Sequence, residues 1–439
     1  MPPSFLPWSS RLARFRPFRG IRFDPGKVGD FAKVVAPPYD VIGRRARDRL
    51  FESGPYNVTR LILHPEGHER AGEQFRRWLA EGVLVREEVP AFYLYRQDFE
   101  LEGKRSRVGV IGALHLEPFD RGVVRPHEQT FDQHKRDRLE LTTEVKANLS
   151  PIFGLYSHDS FEPEPDGGWS EPPVIDVEHE GVRNRLWVIR DPNNVERIRQ
   201  ALAGRTVFIA DGHHRYETAL NYFAALNPGK ELPLGDDAPS DDEQPAAHVM
   251  AFLGRIEDPG MVVLPTHRIA LSLGSADVAR YERAITAAFE TEFATRSSSG
   301  RSGALAWLEQ QPRTVNAFVV GLASRREYLL LRRPRPSGGG RAARLDVAVL
   351  HRVLLGEMLG QAGGQAQLSY SADTEETFDA LEQGKAEAIF VLRATSPEEM
   401  ADVCLAGELL PQKSTFFYPK LLTGLVFHSL EPAPATGSD

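Results

Sequence analysis

The sequence has a single cysteine among its 439 residues, Cys404, so the chain can form no internal disulfide and no cysteine-based zinc site. It also lacks any stretch approaching the ~20 consecutive apolar residues that a membrane-spanning helix needs. "MPPSFLPWSSRLARFRPF" at the start carries arginines but no uninterrupted apolar core, so it does not read as a secretory signal. These absences point to a protein of the cytoplasm, with no membrane partner. The formal net charge of −8 gives no electrostatic case for a nucleic-acid partner. Four common signatures are missing as well: G-x-x-x-x-G-K-S/T, G-x-G-x-x-G, C-x-x-C and G-x-S-x-G. The usual ATPase, dinucleotide-enzyme and serine-hydrolase readings lose their support with them.

What is present is ordinary for a globular chain: 41% apolar and 26% charged residues, enough length for two or three domains. Segments 158–173, 227–245 and 332–344 are rich in Pro, Gly or acidic residues and read as linkers or surface loops. Strand-like runs occur at 91–101, 107–117, 184–190, 205–210, 248–256, 315–322, 327–333 and 386–393, the first two joined by "EGK" as a hairpin. Helical periodicity predicts helices over 68–80, 193–203, 215–226, 275–292, 345–359 and 375–383. "SADV" at 275–278 and "SPEE" at 396–399 have the Ser-then-acid pattern of helix starts. The expected fold class is α+β, with several antiparallel strands.

The stretch "RTVFIADGHHRYETALNYF" (205–223) poses the central question. An apolar run breaks at Asp211-Gly212, and His213, His214 and Arg215 then open a helix-like segment. At such a strand-to-helix corner, the first N–H groups of the helix have no intrahelical acceptor and the helix dipole adds positive charge. Arg215 and a protonated His213 or His214 would deepen that field, and a glycine lets a phosphate approach the backbone. The plain alternative is that Asp211 caps the helix while the histidines pack beside it. A metal held by His213 and His214 is disfavoured, because adjacent helical side chains point about 100° apart.

Other segments hold further candidates. "RPHEQTFDQHKRDRLEL" (125–141) brings His127 and Glu128 before Lys135, Arg136 and Arg138; position 131 is Phe, so it is not H-E-x-x-H. Interleaved charges of this kind favour a solvated helix face, the functional reading being a proton-accepting Glu128 near anion-holding Lys135 and Arg138. "VVAPPYDVI" fixes Asp40 after an extended Pro-Pro-Tyr turn. "LPTHRIAL" puts His267 and Arg268 in an apolar strand, where they must either pair or face a cleft. "LPQKSTFFYPKLLTG" offers Lys413 and Lys420 as anion contacts or as plain surface residues.

"PFRGIRFD", "VVAPPYDVI", "YNVTRLIL", "HEQTFDQHKRDRL", "SPIFGLY", "ADGHHRYETAL", "DPGMVVLPTHR" and "LPQKSTFFYPKLLTGLVFH" follow one another across roughly residues 15–430. This succession resembles the bacterial domain-of-unknown-function family 1015, and more distantly the ParB-like superfamily. The ParB-like hallmark is a glycine, one further residue, an Arg or His and then an Arg at a helix start, where phosphates are cradled; Gly212, His213, His214 and Arg215 match it. The resemblance implies a ParB-like core with a mixed sheet and helices, plus an additional mixed α/β region. Its parts would be 1–157 with the PPYD and HEQT motifs, 184–272 with DGHHR and PTHR, and 273–430, all one interdependent catalytic unit.

Some ParB-like proteins phosphorylate free L-serine, and relatives take pyrophosphate or a nucleotide as donor. On that resemblance Gly212, His213, His214 and Arg215 would grip the donor phosphates, while Lys135 and Arg138 neutralise the transferred group. Asp40, Glu128 or Asp211 would act as base or hold Mg²⁺, with Glu128 favoured as base and Asp211 as metal ligand. His127, His267, Arg268, Lys413 and Lys420 would line the cleft. The partners would then be a phosphate donor and a small-molecule acceptor. Two other readings stand beside this kinase: a ParB-like nucleotide-binding regulator, and a metal-dependent phosphodiesterase or nuclease.

Overall fold

The computed structural model of the chain describes residues 13–129, 132–158, 171–233, 240–273, 283, 285, 290–293, 300–358 and 367–432. They fall into two units. The first comprises residues up to Pro126, Thr130–Met261 and everything from Pro419 onward; the second comprises His127–Gln129 and Val262–Tyr418. Both mix α and β structure.

Among the described residues the first unit is built on a nine-stranded sheet: β1 (Phe15–Arg16), β2 (Phe92–Glu100), β3 (Lys104–His115), β4 (Val124–Arg125), β5 (Ile152–Tyr156), β6 (Ile175–His179), β7 (Val182–Ile189), β8 (Val207–Asp211) and β9 (His248–Arg255). Their order is β4-β8-β5-β9-β3-β2-β7-β6, with β1 added beside β3. β8 is parallel to β4 and β9 to β5, whereas the other neighbours are antiparallel. The β2–β3 turn is the expected hairpin. Glu102 (φ 50°) and Gly103 (φ 109°) supply the two left-handed residues that match the twist of the flanking strands.

Four helices of this unit matter for the site: α1 (His68–Ala80), α2 (Asp132–Val145), α3 (Pro192–Leu202) and α4 (His213–Leu226). α4 buries Tyr216, Ala219 and Phe223, spaced to share one face, in a core with Ile152, Val249 and Leu253 from the sheet. α2 packs against both α1 and α4. The end of the chain returns to this unit: Ile21 and Phe427 exchange backbone hydrogen bonds of 2.9 and 2.8 Å, and Thr423 N donates to Ala36 O at 2.9 Å.

The second unit carries strands β10 (Val262–Leu264), β11 (His267–Ser272), β12 (Glu290–Phe293), β13 (Val315–Leu322), β14 (Leu329–Pro334), β15 (Gln367–Ser371), β16 (Ala388–Leu392) and β17 (Phe416–Tyr418). Six form an antiparallel sheet in the order β12-β14-β13-β16-β11-β15, and β10 pairs with β17. Side chains alternate between two cores. Ala317, Val319, Ile389 and Val391 meet α5 (Gly300–Gln310) and α7 (Thr374–Glu382) on one face. Phe318, Val320, Phe390 and Leu392 meet α6 (Asp346–Val349), its wider continuation Leu350–Met358, and α8 (Pro397–Leu405) on the other. Burial of both faces explains why these strands read as near-continuous apolar runs.

Most of the expected elements are found within a residue or two. Ser396 caps α8 in a full capping box with Glu399. The helix expected over 275–292 fails at its end, since Glu290–Phe293 is a strand paired with Leu329–Arg332; pairing to a neighbour overrides local periodicity there. The "SADV" start lies outside the described residues. The expected linker 332–344 begins late, because β14 runs on to Pro334.

Candidate phosphate site

β8 delivers the corner. Val207–Ala210 are buried, and Asp211 is the last strand residue. Gly212 then turns the chain in a left-handed conformation (φ 89°, ψ 28°), and α4 starts with no side-chain cap. The first backbone bond to close the helix is Tyr216 N to Gly212 O, 3.0 Å. The plain alternative, an Asp211 cap, is therefore not formed. Gly212 has a second reason to be glycine: a Cβ there would lie 2.8–2.9 Å from the Arg215 guanidinium. Gly212→Ala is expected to cost about 1–2 kcal/mol through the left-handed backbone, and to push the guanidinium aside. Urea unfolding and pyrophosphate titration of the variant measure the two effects.

Asp211 binds cations instead of capping. Its Oδ1 accepts from Lys420 Nζ at 2.7 Å and its Oδ2 from Arg215 Nη2 at 2.8 Å. Arg215 also donates through Nη1 to Pro151 O. Burial alone would raise the carboxyl's pKa, but Lys420, Arg215 and then His213 outweigh it and hold the group well below the usual carboxylate range. Two cations thus share one carboxylate at the helix start, an arrangement with positive charge to spare for an anion. His213 is buried in the first turn, and His214 is half-buried beside it.

The neighbouring candidates take distinct places. Lys135 on α2 pairs with Glu217 on α4 at 2.9 Å. Arg138 corrects the expectation of a solvated face: it is 7% exposed, bonds Asp137 through Nε at 2.8 Å and Ile62 O at 3.2 Å, and covers the Tyr39 ring at 4.2 Å. Asp40 follows Tyr39 in a short turn and is exposed. Tyr39, Arg138, Thr142, Ser150, Arg215 and Thr218 are among the residues that line a pocket of about 50 Å³. Since a water needs roughly 10–15 Å³ of such space, the pocket has room for a small group of a few heavy atoms. Burial raises the Tyr39 hydroxyl's pKa, with Arg215, Asp40, Arg138 and Asp211 all within electrostatic reach.

Other predicted site residues belong to the second unit. His127 is fully buried, its Nε2 2.9 Å from Thr415 Oγ1, and Glu128 bridges in parallel to Leu410. His267 and Arg268 pair, one of the two outcomes the sequence allowed. His267 Nε2 is 2.9 Å from Thr374 Oγ1, while Arg268 bonds His351 Nε2 (3.1 and 3.0 Å), Lys413 O (3.0 Å) and Thr266 O. Lys413 contributes its carbonyl there, at a left-handed backbone position of φ 55°.

Sequence reasoning missed the support behind Lys420. Gln97, Arg107, Tyr95 and Asn184 are 0–1% exposed and joined by hydrogen bonds. Arg107 Nη2 donates to Gln97 Oε1 and to Pro419 O. Gln97 Nε2 donates to Lys420 O (3.1 Å) and Asn184 Oδ1 (3.0 Å); Tyr95 OH donates to Asn184 Oδ1 (2.6 Å) and accepts from Leu422 N (3.3 Å). Burial lowers the Arg107 guanidinium to about 10. The available signal was a charged residue opening the apolar run "RVGVIGALHLE", which implies a buried partner.

Among the described residues, no group of three or more His, Cys, Asp and Glu could hold a metal ion, and no helix is long and apolar enough to cross a membrane. Three solved structures align with most of the chain. A conserved hypothetical protein from Pyrococcus furiosus is 16% identical, covering 71% of this chain and 93% of its own, at a TM-score of 0.34. A free serine kinase in complex with AMP is 14% identical over 70% and 86%, at 0.35. SbnI with a C-terminal truncation, from Staphylococcus aureus, is 10% identical over 71% and 85%, at 0.34. Scores of this size carry no argument about activity. No curated protein matches the chain. A family model does match, from the strand at Phe15 through the Asp211–Arg215 corner as far as residue 348, and the chain accordingly belongs to the DUF1015 family, proteins of unknown function.

Proposed function

We propose that the chain is a cytoplasmic phosphotransferase that takes pyrophosphate or a nucleotide as donor and phosphorylates a small hydroxyl-bearing acceptor, free L-serine being the first to try. The observation that carries this reading is the uncapped start of α4 at left-handed Gly212, flanked by Arg215 and Lys420 sharing the single carboxylate of Asp211. The ParB-like character of the corner belongs to the same proposal. Donor phosphates would meet the N–H groups of His213, His214 and Arg215, with the Arg215 and Lys420 side chains spreading the charge that develops on the transferred group. The pocket lined by Tyr39 and Arg138 beside Arg215 would receive the acceptor.

In the transfer, the acceptor oxygen forms a bond to the terminal phosphorus as the bridging P–O bond breaks. Orthophosphate leaves when pyrophosphate is the donor, AMP when ADP is. The hydroxyl proton needs a base. Asp211 is poorly suited, because a carboxylate held so far down by two cations has little affinity for a proton. Asp40, exposed and next in sequence to the pocket-lining Tyr39, is assigned that role. Both Asp211 oxygens are already engaged by cations, so Asp211 does not fit as a Mg²⁺ ligand in this arrangement, and no step is assigned to the metal.

The test offers L-serine with pyrophosphate, ADP, ATP and CTP in parallel, Mg²⁺ present, to wild type and Arg215→Ala. Phosphoserine from one donor, reduced about 10³-fold or more in the variant, is the expected result. Donor binding without product would favour the regulator reading, and neither binding nor turnover would end the phosphate-site reading.

A further inference from the structure

Lys420 reaches Asp211 from the far end of the chain, 209 residues away, on a segment without regular secondary structure at that point. A long, flexible ammonium side chain in such a segment keeps one position only if its backbone is fixed. The carbonyl of Pro419 accepts from Arg107 and the carbonyl of Lys420 itself from Gln97, and Leu422 N donates to the Tyr95 hydroxyl. Proline at 419 contributes by locking φ and by needing no acceptor for an N–H.

The clamp is rigid for identifiable reasons. Gln97 uses both ends of its amide: Oε1 takes Arg107, while Nε2 is shared between Lys420 O and Asn184 Oδ1. Asn184 is itself held through Nδ2 to Val182 O at 2.8 Å. The Arg107 guanidinium lies 4.9 Å above the Phe153 ring, which restricts its tilt. Gln97, Arg107 and Asn184 stand on the adjacent strands β2, β3 and β7, so the sheet fixes their spacing.

We infer that Gln97 and Arg107 are positioning residues that hold the Lys420 ammonium against Asp211 and so set the charge at the start of α4. Its bearing on phosphate transfer rests on the function proposed above, whereas the placement of Lys420 does not. Neither residue touches the carboxylate; both act through the backbone of 419–420.

Lysine reactivity tests this directly on the full chain. Wild type, Gln97→Leu and Arg107→Lys are treated briefly with acetic anhydride, and acetylation of Lys420 is measured relative to exposed Lys230 by peptide mass spectrometry. Arg107→Lys keeps the charge but ends one bond short of Nη2, the single nitrogen that reaches both Gln97 Oε1 and Pro419 O, and it serves if Gln97→Leu fails to fold. Ser150→Ala removes a different tie on the same segment, the 2.8 Å bond to Thr423 Oγ1, and controls for general loosening. The expected result is a several-fold rise in Lys420 labelling in the clamp variants and little change in Ser150→Ala. Unchanged labelling in folded clamp variants, or an equal rise in Ser150→Ala, would overturn the inference. Pyrophosphate titration of the same proteins separates the two proposals. A wild type that fails to bind pyrophosphate sinks the donor site, yet leaves the labelling result to decide the clamp.

Discussion

Asp211→Asn is expected to lower stability by about 2 kcal/mol at neutral pH and, at the same time, to tighten pyrophosphate binding several-fold. Asparagine keeps the shape but removes the charge that Lys420 and Arg215 share. Removing one partner of a fully buried ion pair costs about 3–5 kcal/mol. Here the side chains are 16–21% exposed, so water screens part of that loss. The two cations left behind repel each other in the free protein, and an arriving anion relieves the repulsion. The stability effect has a defined pH window. The folded carboxyl is held below its unfolded value, so its contribution is complete above roughly pH 4 and fades as pH falls further. Urea midpoints of wild type and variant should therefore differ by a constant amount from pH 8 to pH 5 and converge below pH 4. No gap at pH 7.5 would mean that the ion pairs contribute nothing.

This pair also shows what a sequence can and cannot reveal. Asp211, Gly212 and Arg215 were legible because a strand, a glycine and a helix fall within ten residues, where geometry follows from local rules. Nothing local distinguishes Lys420 in "YPKLLTG" from a surface-loop residue, and its partner lies 209 positions earlier. Gln97 was invisible for a related reason, and Arg107 signalled only that it needs a buried partner, not which one. A strand alternates its faces, but sequence does not say which face meets a buried polar network instead of the apolar core. Arg138 misled because charged neighbours at helical spacing usually mean solvent. The Tyr39 ring and the Ile62 carbonyl that bury it come from other segments. The elements themselves were largely readable. β16 and β13 announced themselves as apolar runs and α4 by its apolar spacing, whereas the order of strands in the sheets depends on pairings across the chain that no local pattern encodes.

Acidification should bring the largest loss of stability, and histidines cause it. Burial pushes His248 in the first unit down to about 3, with His115 and His428 adding to the shift against the opposing pull of Asp241. In the second unit burial and then the Arg268 charge push His267 and His351 each to about 4. The contacts show why the protonated forms are refused. His351 Nε2 accepts from Arg268, so a proton there would set two cations face to face. Nδ1 of His267 accepts from Leu392 N at 3.4 Å, a bond that protonation would break. In the unfolded chain each imidazole takes its proton near pH 6.5. The folded state is therefore fully favoured above that pH and loses ground as pH falls towards 4, by about 1.4 kcal/mol, or tenfold, per histidine per pH unit. Between pH 6 and 4.5 that amounts to roughly 2 kcal/mol for His248 and 4 for the second unit's pair, a large share of the 5–15 kcal/mol a domain typically has. Urea midpoints measured at half-unit steps should fall steeply in this window. His351→Gln, whose side-chain oxygen can still accept from Arg268, should flatten the second unit's dependence by one proton. Midpoints that stay level from pH 6.5 to 4.5 would show that these imidazoles are charged in the folded protein, and that Arg268 tolerates a second cation at its side.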